Sequence, residues 1–449
     1  MITLSYDRGT IILKNVTDFS HIPPFFKYDK RTKNYRALAY MYPYTINFLK
    51  KYNIGIIDNV FSLKKSHFRI RRKISLYSYQ KEALYRWYNK KRGIISLPTG
   101  SGKTRIAIKA ISLLKVSSLI VVPTLDLIDQ WVKKVEYFID TDIGIFGGGK
   151  KDLGFITIST YDSAYLNAEF LGNKFLFLIF DEVHHLPSPS YRQIAELNAA
   201  IYRMGLSATP EREDLLHLDL PKLVGPVVYE KKATDLSGKY ISDFEIKRIK
   251  VNLLEEEKRV YEEKIKIFRN YLRRSNIRMT HSKDFEKLVM RSGLDREARI
   301  ALLAWREARK VAFNSEAKIK VLKELLNDHR GDRIIIFTEN NEMVRKISWM
   351  FLIPELTYKT PLIERREILD MFRKGEVNVI VTSRVLEEGV DVPDANVAIV
   401  ISGTGSRREF IQRLGRILRP KPGKKAVLYE VISSETTELM TSYRRRRKV

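Results

Sequence analysis

Short apolar runs alternate with helical stretches over much of this 449-residue chain. Between about residues 73 and 238, five runs have the length and composition of β-strands. In chain order they read RGIISL, SSLIVV, GFITIS, FLFLIFDE and RMGLSA. Because strands that alternate with helices are typical of a parallel sheet with crossover helices, this block predicts an α/β domain.

A second block with the same alternation covers about residues 313 to 435. Its strands are predicted at DRIIIF, VNVIVT, NVAIVIS and KAVLYEV. Two α/β units of similar size therefore flank a segment, about residues 255 to 312, that has almost no strand signal. We expect this segment to be a helical insertion.

The inserted segment carries one apolar stripe at helical spacing. The stripe consists of Tyr261, Ile265, Phe268 and Leu272. Basic residues occupy much of the remaining face, namely Lys264, Lys266, Arg269, Arg273 and Arg274. Taken alone, this pattern favours an ordinary amphipathic helix whose basic face is solvated.

The first 72 residues form a small block that is rich in aromatic and basic residues. A hairpin is predicted around Asp7-Arg8-Gly9, and the block ends in KSHFRIRRK. Its aromatic residues could stack on unpaired bases or fill a core, and we favour the core for most of them. They are Phe25, Phe26, Tyr28, Tyr35 and Tyr40.

Composition excludes several classes of protein. The longest apolar runs are far too short to span a bilayer, and Asp7 and Arg8 stand where a signal peptide would be apolar, so we expect a soluble chain with no membrane partner. The absence of cysteine excludes disulfides and thiolate metal sites, and it fits a reducing cytosol or a hot environment.

The charge of the chain points to a polyanionic partner. There are 81 Lys and Arg against 53 Asp and Glu, a net charge of +28. Nucleic acid attracts such a surface because binding releases condensed counterions. The alternative is a basic surface that only aids solubility. We favour nucleic acid.

The stretch LPTGSGKT, residues 97 to 104, has the sequence context of a phosphate-binding loop. It departs from the strict pattern at Leu97, but it directly follows a predicted strand and directly precedes an amphipathic helix. Its glycines let backbone N–H groups approach phosphate, its lysine supplies a cation, and its last threonine can hold Mg²⁺. The predicted nucleotide-binding residues of the loop are Thr99, Gly100, Ser101, Gly102, Lys103 and Thr104.

Two carboxylates end the most apolar strand. Asp181 stands where a metal-linked carboxylate is expected, and Glu182 is the candidate general base or positioner of the attacking water. The adjacent His184 and His185 lack metal-ligand spacing, so we do not predict a zinc site there.

With Asp-Glu-Val-His at residues 181 to 184, the chain resembles the DExH group of superfamily 2 helicases across about residues 73 to 435. The motifs occur in the family's order: SYQKEAL, VVPTLDLIDQW, ISTYDS, SAT, IIIFTEN, VTSRVLEEGVDVP and QRLGRILRP. The resemblance implies two RecA-like domains that use ATP and Mg²⁺, and Leu97 is ordinary for this superfamily. It also implies that Gln80 reads adenine and that VVPTLDLIDQW and ISTYDS track a nucleic-acid backbone.

The last two motifs imply a contribution from the second unit to the nucleotide site. The resemblance assigns Gly389 and Asp391 to nucleotide binding. Gln412, Arg416 and Arg419 recur at helical spacing, so they can share one face directed at the triphosphate. An arginine finger of this kind is worth roughly 10³ to 10⁵ in rate.

Two further stretches resemble the XPB helicases of repair and transcription. SATPEREDLL contains Arg212, Glu213 and Asp214, which resemble that family's Arg-Glu-Asp motif, and residues 23 to 44 resemble the N-terminal damage-recognition domain of archaeal members. The resemblance implies that the Arg-Glu-Asp residues act in duplex opening, although such a cluster can also be an exposed ion pair. It also makes the segment of residues 255 to 312 a thumb that contacts DNA through Lys264, Arg269, Arg273 and Arg274.

The predicted domains are therefore residues 1–72, a damage-recognition-like domain; residues 73–238, RecA-like domain 1; and residues 239–449, RecA-like domain 2 with the thumb. We expect an ATP- and Mg²⁺-dependent DNA helicase or translocase that acts in repair or transcription-linked duplex opening, with 3′ to 5′ polarity implied by the resemblance. The expected partners are forked or bubble-containing DNA with single-strand/duplex junctions and a nuclease or repair-complex protein.

We expect an archaeal-like cytoplasmic location at the nucleoid. Three alternatives stay open on the sequence: a DExH RNA helicase, a motor subunit of a restriction system, and a DNA-binding scaffold that uses ATP only as a switch or not at all. Comparing how strongly RNA and DNA activate the ATPase separates an RNA helicase from the favoured function.

Overall fold

The computed structural model describes residues 1–16, 22–212, 214–236, 240, 243–279, 282–383, 395–402 and 425–439. The chain divides into two compact units, one built mainly from residues 1–236 and the other mainly from the remainder. Within the described ranges, no helix combines the length and apolar character that crossing a membrane requires.

A five-stranded sheet of order β3-β4-β2-β1-β5 opens the first unit. Its elements are β1 (Ile2–Asp7), β2 (Thr10–Lys14), β3 (Lys27–Asp29), β4 (Asn34–Leu38), α1 (Tyr42–Lys51) and β5 (Ile56–Asn59). β1 and β2 are antiparallel and pair Asp7 with Thr10, which confirms the predicted hairpin. Arg8 and Gly9 in the turn both have positive φ, as a two-residue hairpin turn requires.

Most of the N-terminal aromatic residues pack in this small core. Phe26 is buried, and Phe25 and Tyr35 pack against it. Tyr28 is 52% exposed. Lys222 of the same unit lies with Nζ 5.4 Å from the ring centre of Tyr40. The expectation of a core role is confirmed for three of the five.

An eight-stranded sheet forms the rest of the first unit, in the order β11-β10-β12-β8-β13-β14-β7-β15. Its strands are β7 (Arg92–Ser96), β8 (Ser118–Val122), β10 (Ile143–Gly147), β11 (Lys150–Lys151), β12 (Ile156–Thr160), β13 (Phe177–Asp181), β14 (Tyr202–Ser207) and β15 (Val227–Glu230). All neighbours are parallel except β10 and β11. The predicted parallel sheet is therefore confirmed, and its central strands are buried on both faces.

Helices connect these strands. They are α2 (Ser78–Lys90), α3 (Lys103–Leu114), α4 (Leu125–Phe138), α5 (Tyr161–Leu166), α6 (Ala168–Leu171), α7 (Arg192–Glu196), α8 (Leu220–Leu223) and α9 (Ala233–Leu236). The short strands β6 (Phe68–Ile70) and β9 (Ile139–Thr141) pair antiparallel. This pairing ties the segment after the N-terminal sheet to the segment that follows α4.

The second unit contains a six-stranded parallel sheet of order β16-β21-β20-β17-β19-β18. Its strands are β16 (Asp243–Val251), β17 (Ile334–Phe337), β18 (Glu355–Leu356), β19 (Val379–Thr382), β20 (Val397–Val400) and β21 (Lys425–Ser433). The helices are α10 (Glu255–Arg274), α11 (Ser282–Arg291), α12 (Arg296–Phe313), α13 (Glu316–Asp328), α14 (Asn341–Phe351) and α15 (Leu362–Lys374). The four predicted strands are all present.

The predicted thumb segment consists of α10, α11 and α12. The stripe of α10 is buried at Tyr261, Ile265 and Phe268, and Leu272 packs partly against the same cluster. The stripe is therefore confirmed. Tyr271, which the spacing did not include, is buried as well. Its hydroxyl donates to Asp295 Oδ2 at 3.1 Å, and Asp295 caps the N-terminus of α12.

Candidate active site

The loop between β7 and α3 has the backbone of a phosphate cradle. Gly100 and Gly102 have φ values of 82° and 81°, which glycine adopts at little cost. Gly102 is the N-cap of α3, a helix of 12 residues, so the first N–H groups of α3 have no intrahelical acceptor. This geometry suits an anion, because the positive end of the helix dipole adds to those donors.

Polar side chains line the same loop. Lys103 Nζ donates to Leu97 O at 2.9 Å and lies 3.4 Å from Pro98 O, so the ammonium folds back over the loop. Thr99 Oγ1 is buried and finds no hydrogen-bond partner among the described residues. Thr104 is half-buried in the first turn of α3. A cation, an orphaned hydroxyl and a glycine cradle fit a phosphate group.

Gln80 packs directly against the loop. Its side chain is buried, and Nε2 donates to Ser101 O at 2.7 Å, while Tyr79 OH donates to the same oxygen at 2.6 Å. The backbone N–H of Tyr77 donates to Gln80 Oε1 at 3.0 Å. A Cβ atom at Gly102 would lie 2.5 Å from Gln80 Nε2, so this position suits glycine. Gln80 therefore holds the loop in place, and its adenine-reading role stays a prediction.

The two carboxylates lie at the same edge of the sheet, where the carboxyl ends of parallel strands meet: Asp181 is the last residue of β13, and Glu182 follows it. Asp181 Oδ1 accepts from the backbone N–H of Glu182 at 3.1 Å. Glu182 has φ of +47°, a conformation that is uncommon for a residue with a side chain and clusters at functional sites. Glu182, with its strained backbone, therefore lies directly after Asp181, the residue predicted to bind the metal.

His184 joins the DExH segment to the SAT segment. Its ring is fully buried, with Nδ1 3.3 Å from Ser207 Oγ and 3.5 Å from Glu182 Oε2. Ser207 Oγ also accepts from the backbone N–H of Thr209 at 3.1 Å. The end of β14 is thus hydrogen-bonded to the residue that sits beside Glu182. This chain of contacts gives His184 a role in positioning the candidate base.

Arg212 is tied to the DExH segment. Its Nη1 donates to His184 O at 2.7 Å, and its Nε donates to Asp214 Oδ1 at 2.9 Å. Its side chain is 21% exposed, against 46% for Asp214. The backbone N–H of Arg212 also donates to His217 Nδ1 at 3.1 Å. The structure therefore shows an ion pair and a contact of the same arginine with the DExH segment. The role of the Arg-Glu-Asp residues in duplex opening stays a prediction.

Sequence reasoning missed two aromatic residues at this site. Trp131 of α4 donates from Nε1 to Asp181 Oδ2 at 2.9 Å. Tyr161, the first residue of α5, donates from its hydroxyl to Asp181 O at 3.0 Å. Both belong to motifs that we assigned to the nucleic-acid backbone. Each is an aromatic residue inside a short motif, and that was the only sign of them in the sequence. The spacing of a motif does not show where a side chain points.

The basic face of α10 is smaller than its sequence suggests. Lys264 Nζ lies 3.1 Å from Glu307 Oε2 and 3.4 Å from Glu263 Oε1. The hydrogen bond to Glu307 and the two neighbouring charges raise the pKa of Lys264. The three arginines of the predicted set are exposed, namely Arg269, Arg273 and Arg274.

Several predicted site residues lie outside the described residues. They are Glu213, Gly389, Asp391, Gln412, Arg416 and Arg419. The structure therefore describes the site from the first unit alone. Three features define a nucleotide-hydrolysing motor domain of the superfamily 2 class. They are a phosphate loop after β7, an Asp-Glu pair at the end of β13 and a linked Ser-Ala-Thr segment at the end of β14.

Three family models match the chain. The model described as Xeroderma pigmentosum group B helicase damage recognition domain matches residues 4–60. The model described as ERCC3/RAD25/XPB C-terminal helicase matches residues 304–449. Between them, the model described as type III restriction enzyme, res subunit, matches residues 73–212.

Known proteins are similar over most of the chain. A Sulfurisphaera tokodaii protein named DNA 3'-5' translocase XPB2 is 47% identical over 446 residues, covering 99% of this chain and 100% of that protein. A Mycobacterium tuberculosis protein named DNA 3'-5' helicase XPB is 28% identical and aligns with 83% of this chain and 63% of its own length. The chain spans 48% to 65% of the length of the more distant curated relatives that we compared.

The solved helicase domain of Pyrococcus furiosus Hef has the same fold. Its TM-score is 0.55 at 18% identity, and the match covers 84% of this chain and all of that domain. With the full-length relative, these findings show that the chain belongs to the XPB family of helicases. The resemblance seen in the motifs and the predicted α/β fold class with two RecA-like domains are confirmed.

Proposed function

We propose that this chain is an ATP- and Mg²⁺-dependent DNA translocase that moves 3′ to 5′ and opens duplex at single-strand/duplex junctions. The observation that carries the proposal is the edge of the first sheet, where the phosphate loop and the Asp181-Glu182 pair lie at the ends of parallel strands. The names of the relatives, DNA 3'-5' translocase and DNA 3'-5' helicase, support the choice of DNA and the polarity.

Each residue of the site has a proposed role. The N–H groups at the start of α3 and the Lys103 ammonium bind phosphate, and Thr104 and Asp181 would hold Mg²⁺ through hard oxygen ligands. Glu182 orients the attacking water and accepts its proton. When bound, ATP would supply the phosphoanhydride bond that is cleaved, and Mg²⁺ would neutralise negative charge on the phosphate oxygens.

The second unit would complete the site through its sequence motifs. Gln412, Arg416 and Arg419 are proposed to act on the γ-phosphate, and Gly389 and Asp391 to contact nucleotide. Because such contacts require the phosphate, their release after hydrolysis would let the two units move relative to one another. Contacts to the DNA backbone rather than to bases would make the motion independent of sequence.

Arg212, Glu213 and Asp214 are proposed to act in duplex opening. The contact between Arg212 and the His184 carbonyl supports this role, because it connects the Arg-Glu-Asp segment to the residue beside Glu182. If DNA binding moved the Arg-Glu-Asp segment, His184 alone would connect that movement to Glu182, the candidate base.

The proposed partners and location follow the family. Arabidopsis thaliana relatives are named subunits of general transcription and DNA repair factor IIH, so a repair-complex protein or a nuclease is the expected protein partner. Forked and bubble-containing DNA are the expected substrates. An archaeal-like chain of this type would work in the cytoplasm at the nucleoid.

Steady-state ATPase measurements test the proposed function. We expect single-stranded and forked DNA to stimulate the wild type more than RNA does. Glu182→Gln should lower the stimulated rate by about 10² to 10⁴, because it removes the general base while keeping the side-chain size. Glu169→Gln, an exposed glutamate of α6, is the matched control and should behave like the wild type.

Two of the three alternative functions predict other outcomes, one in this assay and one in a measurement of DNA binding. Equal or greater stimulation by RNA would indicate a DExH RNA helicase. DNA binding that responds to nucleotide without any turnover would indicate a scaffold. Both results would contradict the proposal.

The proposed DNA contact of the thumb predicts a change in salt dependence. Replacing Arg269, Arg273 and Arg274 together by glutamine should reduce the slope of log affinity against log salt by about 0.9 for each phosphate of duplex DNA that the variant no longer neutralises. Lys264→Gln should change the slope less, because Lys264 is already paired with Glu307. Fluorescence anisotropy across a salt series measures both, and an unchanged slope in the triple variant would make α10 an ordinary solvated helix.

A further inference from the structure

Helix α4 makes a direct polar contact with the candidate metal carboxylate. Trp131 is 1% exposed and lies on the buried face of α4 together with Ile128 and Val135. Its indole N–H donates to Asp181 Oδ2 at 2.9 Å, across 50 residues of sequence. The other oxygen, Oδ1, accepts from the backbone N–H of Glu182. Both oxygens of Asp181 are therefore oriented by donors of the first unit.

A second segment reaches the same residue from β12, which is separated from β13 by β8 in the sheet. Tyr161 begins α5 directly after β12, and its hydroxyl donates to the Asp181 carbonyl oxygen at 3.0 Å. Trp131 and Tyr161 lie in VVPTLDLIDQW and ISTYDS, the two stretches proposed to follow the DNA backbone. One stretch thus contacts the carboxylate of Asp181, and the other contacts its main chain.

We propose that Trp131 is a positioning residue that fixes the Asp181 carboxylate and transmits DNA contact at α4 to the Mg²⁺ site. This inference rests on the proposed function, since it takes Asp181 as the residue that holds the metal and the stretch VVPTLDLIDQW at the start of α4 as a DNA contact. An N–H donor to a carboxylate forms a charge-assisted hydrogen bond, which is stronger and more directional than a neutral one. Partners that orient a metal-binding carboxylate typically contribute 10- to 100-fold to metal affinity or activity.

If Trp131 had only a structural role, it would pack in the same way but would not affect Mg²⁺ affinity. The chain offers a matched control, because Trp87 of α2 is also fully buried against the same sheet. Its indole N–H donates at 2.9 Å as well, but the acceptor is the Arg203 carbonyl oxygen. Trp131→Phe and Trp87→Phe therefore remove the same chemical group from comparable surroundings, and only the first removes a contact to Asp181.

The first experiment measures binding of a fluorescent ATP analogue to the full chain without DNA, in a Mg²⁺ titration and in EDTA. We expect Trp131→Phe to raise the Mg²⁺ concentration needed for tight binding by about 10- to 100-fold and to leave binding in EDTA unchanged. Trp87→Phe should match the wild type in both conditions. The ratio of DNA-stimulated to basal ATPase should fall in Trp131→Phe alone.

Each contrary outcome has a definite meaning. If Trp131→Phe and Trp87→Phe show the same Mg²⁺ dependence as the wild type, the positioning role of Trp131 is wrong while the proposed function stands. If the wild type itself binds nucleotide without any Mg²⁺ dependence, the metal role of Asp181 fails and this inference fails with it.

A measurement on the wild type keeps the proposal testable if Trp131→Phe does not fold. The chain has four tryptophans, so its ¹⁵N spectrum carries four indole N–H signals that are separable by variants. We expect the Trp131 signal to shift when single-stranded DNA is added without nucleotide and again when Mg²⁺-ATP analogue is added. A Trp131 signal that ignores both additions would overturn the proposal.

Discussion

Lys103→Ala is expected to abolish ATP hydrolysis and to leave DNA binding without nucleotide nearly unchanged. The ammonium group donates to Leu97 O inside the loop. In phosphate loops of this kind the lysine binds the β and γ phosphates, so its loss should prevent hydrolysis. Alanine is well tolerated in the first turn of a helix, so α3 should still form. ATPase assays and anisotropy with labelled DNA measure the two activities on the same preparations.

The control for this prediction lies on the same helix. Lys109→Ala removes the same charge from α3 away from the loop, and we expect wild-type hydrolysis from it. Lys103→Arg should fail to rescue activity, because a planar guanidinium does not replace a compact ammonium ion at this position. Equal loss of hydrolysis and DNA binding in Lys103→Ala would instead identify Lys103 as a DNA contact or a folding residue.

The sheets could be predicted from the sequence because their central strands are buried on both faces. A strand that is buried on both faces needs apolar residues at nearly every position, so it appears in the sequence as a continuous apolar run, such as the one ending at Asp181. β16 escaped prediction because charged residues alternate with apolar ones along this edge strand. β18 escaped because it has only 2 residues. These two strands lack the continuous apolar run that identified the central ones.

The nucleotide site was predictable to the extent that its residues are close in sequence. The loop at residues 97–104 and the acids at the end of β13 could be located from the sequence, because the end of a strand or the start of a helix fixes where each lies. The contact of Arg212 with the His184 carbonyl spans 28 residues, and that of Trp131 with Asp181 spans 50. Such contacts depend on how helices pack on the sheet, which no short motif encodes.

These long-range contacts share one property. They join segments that the family resemblance assigns to DNA to segments that it assigns to ATP. The indole N–H of Trp131 donates to the Asp181 carboxylate, and the Arg212 guanidinium donates to the carbonyl oxygen of His184. A motor whose hydrolysis responds to DNA requires such connections, because a ligand shifts a site only through differential contacts.

Lys318→Met is expected to destabilise the second unit by about 3 to 5 kcal/mol. Lys318 of α13 and Glu438 are both fully buried, with Nζ 2.6 Å from Oε2. The ammonium also donates to the carbonyl oxygen of Ile401 at 2.8 Å. Methionine keeps the length of the side chain, but it leaves the Glu438 charge buried without its cation. Hydrogen exchange of the β20 and β21 amides measures the destabilisation as a local unfolding free energy.

A second substitution should restore much of this stability. Glu438 Oε2 also accepts from the backbone N–H of Ser433 at 2.9 Å, and a glutamine amide can replace that acceptor without a charge. Lys318→Met combined with Glu438→Gln should therefore be more stable than Lys318→Met alone, because the buried uncompensated charge is gone.

An exposed pair provides the control. Lys310 Nζ lies 2.9 Å from Glu342 Oε2, with side chains 59% and 68% exposed, so Lys310→Met should leave hydrogen exchange of β20 and β21 close to the wild type. The comparison is sharp because both variants remove one lysine from one ion pair of the same unit. If Lys318→Met were no more destabilising than Lys310→Met, burial of the first pair would contribute nothing to the stability of this sheet.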